Sequence, residues 1–552
     1  MAKNLTRQFI IVAAAFMVGC SATKRPTEPQ QAKLFQGMGN HHYEITTSSP
    51  RAQEYFDQGL IWAYAFNHDE AIRSFAKAGE IDPDCAMAFW GVALCNGPHI
   101  NNPIVPTDRA KAAWTSLQKA VALKEKVSPV ERDLIEALEH RYADPQPDDR
   151  TPLDQAYADA MGRVWAKYPT DADVGTLYAE ALMDLHPWDL WTQSKEPKPG
   201  TNEIVALLEH VLELDPSVPG ANHLYIHAVE ASAHPERANA AADRLREMIP
   251  ASGHLTHMPS HIDVLTGRWD KAAKQNEMAI KIDAKYRKLS PDQGFYRLYM
   301  AHNHHMLAFA SMMEGRSEAA LAAARDVVNG VPADYLEEQS ALMDPYMGAA
   351  FDVLKRFGRW DEILDEPAPP GCLPITTAMW RFHRGLAYAA KDQTALAEQE
   401  QAAFREAVND VPEDALMAIN PAHKILDIAD LMLEGEIALA REDYQASVGY
   451  LRKAVEVEEG LLYMEPPEWV QPVRHTLAAV LVEDGKYADA EQVYRADLKK
   501  WPNNGWSLYG LARCLEMQDK TTEARQVRQQ FKQAWSRADT EIWTSCLCVR
   551  RS

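Results

Sequence analysis

The stretch Tyr55–Pro83, "YFDQGLIWAYAFNHDEAIRSFAKAGEIDP", decides the fold. Its apolar residues recur every three to four positions, first in one run and then in a second, with a short polar break between them. That period is helical, and two such runs joined by a tight turn describe a helical hairpin. Small residues, Gly59, Ala71 and Ala78, sit where two helices would cross, and Pro83 stops the second. The unit returns at His475–Pro502, where Ala478, Gly485, Tyr487, Ala490, Tyr494 and Pro502 take the same places. Short turns recur as Gly267-Arg268-Trp269, Gly315-Arg316-Ser317, Gly358-Arg359-Trp360 and Gly485-Lys486-Tyr487. Glycine there permits the left-handed residue that ends a first helix. Almost no segment alternates with the period of a strand, so the sequence predicts an all-α solenoid of antiparallel helix pairs.

The spacings resemble the tetratricopeptide repeat (TPR) pattern of about 34 residues. Between residues 97 and 217 prolines interrupt the pattern, and "HPWDLWTQSKEPKPG" (His186–Gly200) reads as an insertion in a helix turn. The expected organisation is a leader at 1–19, a tether at 20–50, insertion-bearing helices at 51–217 and central repeats at 218–364. A linker with a helical pair at 365–421, C-terminal repeats at 422–537 and a cysteine-containing tail at 538–552 complete it. Tryptophans 62, 90, 269, 360 and 469 read as core.

The opening residues have their own logic. Lys3 and Arg7 precede the apolar run "FIIVAAAFMV" and then Gly19-Cys20, the layout of an export signal. The run is too short for a mature membrane helix, which needs about 20 apolar residues. "MVGC" resembles a bacterial lipobox, which implies cleavage before Cys20 and lipidation of its thiol. Ser21 then implies an outer-membrane lipoprotein facing the periplasm. The stretches "YFDQGL", "AFNHDEAIRSF", "CAMAFWGVAL", "HMPSHI" and "EPPEW" resemble a group of bacterial exported TPR proteins. That resemblance implies a TPR lipoprotein and brings no biochemical activity with it.

Composition narrows the partners. The 552 residues carry a formal charge of −22 with no long basic stripe, which argues against a nucleic acid partner. Six cysteines besides Cys20 are sparse for a disulfide scaffold. Cys85 and Cys95 either bridge or stay free. Cys546 and Cys548 suit either a soft cation such as Cu(I) or a redox disulfide.

Histidines supply the chemical signal. "ASGHLTHMPSHI" (Ala251–Ile262) places His254, His257 and His261 at steps of three and four, on one face of a helix. The TPR resemblance implies a register in which positions 2, 5, 9 and 12 of each first helix line a groove. In three successive repeats those slots hold Gly220, His223, His227, Glu230; His254, His257, His261, Val264; and His302, His305, Phe309, Met312. Seven of the twelve are histidine, where a frequency of 19 in 552 would give fewer than one. Imidazoles and a carboxylate converging from neighbouring helices make a transition-metal site for zinc, iron, manganese or copper. Glu180 and Asp184 of the preceding helix are further candidate ligands, and Glu230 is a candidate base or bridging ligand. The number of donors exceeds four, so either a multinuclear site or one ion with supporting histidines is expected.

Weaker candidates are His41 and His42, which a returning N-terminal segment would carry to the groove, and His68, at a helix start. His304 points away from His302 and His305 on the helical wheel, and His234 sits in a turn. No nucleophile motif, phosphate-binding loop or "HExxH" zinc motif is present. Two functions therefore stand side by side. One is a lipid-anchored metal-binding solenoid, with metal-dependent hydrolysis as its extension. The other is a non-catalytic scaffold whose groove takes a protein or peptide.

Overall fold

A computed structural model of the chain describes residues 32–549. The expected export signal at 1–19 and the lipidation candidate Cys20 lie outside the described residues. Helices dominate. The described residues hold one strand pair, Leu416–Met417 against Asn420–Pro421, two residues each. No described helix is long and apolar enough to cross a membrane. The chain divides into two compact units. Among the described residues the first comprises 32–262 with 275–300, and the second 263–274 with 301–549.

The first unit opens with the hairpin read from the sequence, Pro50–Tyr64 and His68–Ile81, followed by Ala86–Cys95. Ser49 and Asn67 cap the first two of these, each accepting a backbone N–H with its side chain. Phe75 is fully buried between Gly59 of the first helix and Gly91 of the third. A Cβ on either glycine would lie 2.7 or 2.6 Å from its ring, so the small residues set the helix spacing. Helices Thr107–Leu123, Pro129–Glu139, Thr151–Lys167, Ala172–Met183, Thr201–Leu214 and Pro219–Val229 follow. Ser128 and Glu131 form a reciprocal capping box at the second of them. The segment 186–200 between two of these helices is non-helical, with one isolated bridge, Trp191 to Pro197.

In the second unit Pro374–Ala390, Thr394–Val408, Ala422–Ala440, Tyr444–Glu459, Val473–Glu483, Tyr487–Lys500, Gly505–Met517 and Thr521–Ala534 run as successive antiparallel pairs. This is the TPR-type solenoid arrangement. All four turn glycines have positive φ, 63° to 75°, as the hairpin turns require. Trp62, Trp90, Trp269 and Trp469 are buried as expected, while Trp360 is only half-buried. Cys85 and Cys95 are free and buried, and Cys546 and Cys548 are joined.

Candidate metal centre

In the first unit two elements bring five histidines and one glutamate together. The helix Pro219–Val229 carries His223 and His227, with Glu230 as its C-cap. The second element departs from the single helix expected of "ASGHLTHMPSHI". It is two pieces, Gly253–His257 and Pro259–Leu265, because Pro259 has no N–H to continue the ladder. His254, His257 and His261 still face one region. All five histidines and Glu230 are buried, the most exposed at 7%.

The hydrogen bonds orient the rings. His223 donates from Nδ1 to the Tyr64 carbonyl at 2.7 Å. His227 and His261 donate from Nδ1 to the two oxygens of Glu230 at 2.8 and 2.7 Å. His257 Nδ1 meets the Asn276 side-chain oxygen at 2.6 Å. A neutral imidazole that donates at Nδ1 has a bare lone pair at Nε2. The Nε2 atoms turn toward one another: His257 and His261 approach at 2.7 Å, and His223 meets His254, whose Nδ1 has no acceptor, at 3.2 Å. His227 Nε2 and His254 Nδ1 are buried with no hydrogen-bond partner.

Such an array fits a cation. Burial holds His223, His254 and His257 far below the ordinary imidazole range, so these rings are neutral and each keeps one lone pair free for a cation. One donor atom each from His223, His227 and His254 lies within 4.8 Å of the others, and the same holds for His227, Glu230 and His261. The two triads share His227. Zinc–imidazole bonds of about 2.0–2.1 Å place the ligands of a tetrahedral ion roughly 3.3 Å apart, close to the His223–His254 separation. Glu230 is opposed by burial, yet attraction and hydrogen bonds from His227 and His261 hold its carboxyl below its usual range. Both of its oxygens accept from imidazoles, so the candidate base is committed to fixing two ring tautomers.

Asp184 and Glu180 are placed elsewhere. Asp184 pairs with Arg141 at 2.5 Å, both side chains 3% exposed. Glu180 is half-buried beside the same arginine, where burial pushes it up to about 7 against Arg141. Neither joins the histidine triads. His302 and His305 belong to the second unit, lining a cavity of about 70 Å³ with Tyr346, Asp352, Met379 and Glu468. Burial pushes His305 down to about 4 there. His304 pairs with Asp326 at 3.4 Å, consistent with its outward face. His41 reaches back to Asp173 at 2.9 Å, and Asp173 also accepts from the Tyr64 hydroxyl. His42 pairs with Asp57, and His234 with Glu236.

Three aromatic or imidazole residues were not singled out by sequence reasoning. Phe66 occupies the turn slot that glycine takes in other repeats and has φ 53°. Its ring lies 4.4–6.0 Å from those of His99, His223, His227 and His254. Trp188, from the insertion, has φ 56° and meets the His227 ring edge-on at 5.6 Å. His99 stacks on Phe66 and lies 4.5 Å from the His68 ring, extending the histidine group beyond the repeat register. The same turn position is held by Asp392, Glu442 and Asp519 in other repeats, so an aromatic residue there was the one sequence signal, and it concerned Phe66 alone.

Residues 481–530 match the tetratricopeptide repeat family. Comparison with curated protein sequences gives no match. Among solved structures the chain is similar to the human IFIT1 dimer with m7Gppp-AAAA, at 12% identity over 89% of this chain and 91% of that one, TM-score 0.31. It is also similar to Cut9 in the APC/C hetero-tetramer Cut9-Hcn1, at 12% identity over 88% and 74%, TM-score 0.29. Yeast Tom70 matches at 11% over 86% and 90%, TM-score 0.28. These similarities are too distant to transfer any property of those proteins.

Proposed function

We propose that this TPR-type helical repeat protein binds transition metal through His223, His227, His254, His257 and His261, with Glu230 orienting the ligands. The convergence of imidazole nitrogens, with four of the five rings held from behind by an oxygen acceptor, carries the proposal. Zinc, iron, manganese and copper all suit imidazole with carboxylate support. A metal bound there with an open coordination position would supply Lewis acidity for hydrolysis. Export and anchoring through a lipid on Cys20, facing the periplasm from the outer membrane, complete the proposal and rest on the 1–19 pattern.

Elemental analysis of the purified chain tests it. Stoichiometric metal is expected, and its loss in His223→Ala/His227→Ala. Protein that holds no zinc, iron, manganese or copper after equilibration with each would overturn it. The match of 481–530 to TPR repeats favours a second role, a scaffold for a protein partner, which metal-free but folded protein would leave standing. Membrane fractionation of Cys20→Ala tests the anchor, with release from the membrane expected.

A further inference from the structure

Residues 544–549, "TSCLCV", are buried within the second unit. Ser545 fixes them: its hydroxyl donates to the His475 carbonyl at 2.7 Å and pairs with the Tyr494 hydroxyl at 2.6 Å. Arg356 donates to the Ser545 carbonyl at 3.2 Å, and the Trp543 indole to the Val549 carbonyl at 2.9 Å. The segment is thus held by polar contacts without its crosslink. The Cys546–Cys548 disulfide spans one intervening residue. A loop that short removes almost no entropy from the unfolded chain, so the bond has little to contribute to stability.

Its surroundings suit chemistry instead. Three donors are directed at one sulfur, Cys546 Sγ: the Thr476 hydroxyl at 3.4 Å, the Cys548 N–H at 3.4 Å and the Gln471 amide at 4.0 Å. Donors aimed at a sulfur stabilise it as thiolate. A carboxyl oxygen of Glu436 and the two sulfurs lie within 4.8 Å of one another. Glu436 is 4% exposed, and burial pushes its carboxyl up to about 8 against the pull of Lys355, so at neutral pH it holds a proton.

We propose that Cys546 and Cys548 form a second site, a dithiol–disulfide couple that exchanges with an external dithiol, with Glu436 as its proton donor and acceptor. A thiolate of the external dithiol attacks Cys548 Sγ, which keeps 7% of its residue surface exposed. A mixed disulfide forms, the Cys546–Cys548 bond breaks, and its electron pair departs on Cys546 Sγ. Glu436 protonates that sulfur. The second external thiol gives its proton to the Glu436 carboxylate and attacks the external sulfur of the mixed disulfide, releasing Cys548, which is protonated from solvent by the proton first lost. Two electrons pass, leaving a protein dithiol and an external disulfide.

The test is native-state reduction of the full chain by dithiothreitol, with alkylation trapping and peptide mapping of Cys546 and Cys548. Reduction faster than global unfolding is expected, and re-oxidation by oxidised dithiothreitol. Glu436→Gln should slow native reduction about tenfold or more while leaving the rate in denaturant unchanged. Thr476→Val should slow it about threefold and serves where the glutamine variant fails to fold. Reduction confined to unfolded protein, or unchanged native rates in both variants, would overturn the proposal.

Discussion

Glu230→Gln separates a metal centre from a packed histidine core. Glutamine keeps the volume of the side chain and replaces one acceptor oxygen with an amide donor. His227 and His261 both donate Nδ1–H to the carboxylate, at 2.8 and 2.7 Å. After substitution one of the rings faces N–H and must exchange tautomer, moving its proton to Nε2, where it blocks a metal. Loss of such an orienting partner costs about 10–100-fold in metal affinity, or roughly 1.4–2.7 kcal/mol. At free metal 100 times the wild-type Kd, binding stabilises the native state by about 2.7 kcal/mol. A variant weakened 100-fold retains about 0.4 kcal/mol at that concentration. Competition with a chromophoric chelator gives the affinity, and denaturant unfolding with and without metal gives the stability. The metal-free proteins should differ little, because the lost hydrogen bonds are offset by relief of a buried charge. Equal metal affinities in variant and wild type would refute the orienting role of Glu230.

Other consequences test the frame around the site. Gly91→Ala places a methyl 2.6 Å from the Phe75 ring, which Gly59 flanks on the other side, and should destabilise by about 1–3 kcal/mol in denaturant unfolding. Glu436→Gln should be more stable than wild type. Its folded pKa, about 8, exceeds the ordinary 4.5, so the folded state holds the extra proton and wild-type stability falls as pH rises between those values. The variant's advantage should grow across that window and level off above it, as measured by denaturant midpoints. Asp497 is buried and accepts from His475, Asn504 and Ser507. Asp497→Ala should cost about 3–5 kcal/mol by leaving those partners unmatched, again read from unfolding.

The hairpins were legible because their determinants are local. Asn67 caps its helix by its own chemistry, and a glycine at 485 ends one by its own φ. The histidine face was legible for a related reason: spacing along one chain fixes which side chains share a stripe. What the sequence could not convey was the partner of each group. Asp184 shares its helix neighbourhood with Glu180 and reads as a ligand, but its charge is met by Arg141, 43 residues earlier. His99 lies in a proline-flanked loop with no periodicity, so nothing local assigns it to the rings of Phe66 and His68. Glu230 was legible as a carboxylate on the stripe. Its role depended on two imidazoles arriving from different elements at hydrogen-bond distance.

Phe66 and Trp188 bear on whether the histidines are only core. A bulky L-residue in the left-handed region is disfavoured by roughly 1–2 kcal/mol. The hairpin turn at 66 can be made without that cost, since the equivalent turn at 485 uses glycine. Aromatic burial offsets the strain only because each ring has somewhere to pack, and in both cases that place is the imidazole group. Strained conformations persist where the surroundings over-determine them. Two separate segments, a repeat turn and an irregular insertion, bring aromatic rings to this cluster from left-handed positions, a backbone state that Asp392, Glu442 and Asp519 adopt at other turns. Enclosure of the imidazoles by aromatic faces also excludes water from nitrogens whose lone pairs face inward, which raises the penalty for leaving them without a cation. The aromatic enclosure therefore suits these imidazole nitrogens to a cation rather than to water.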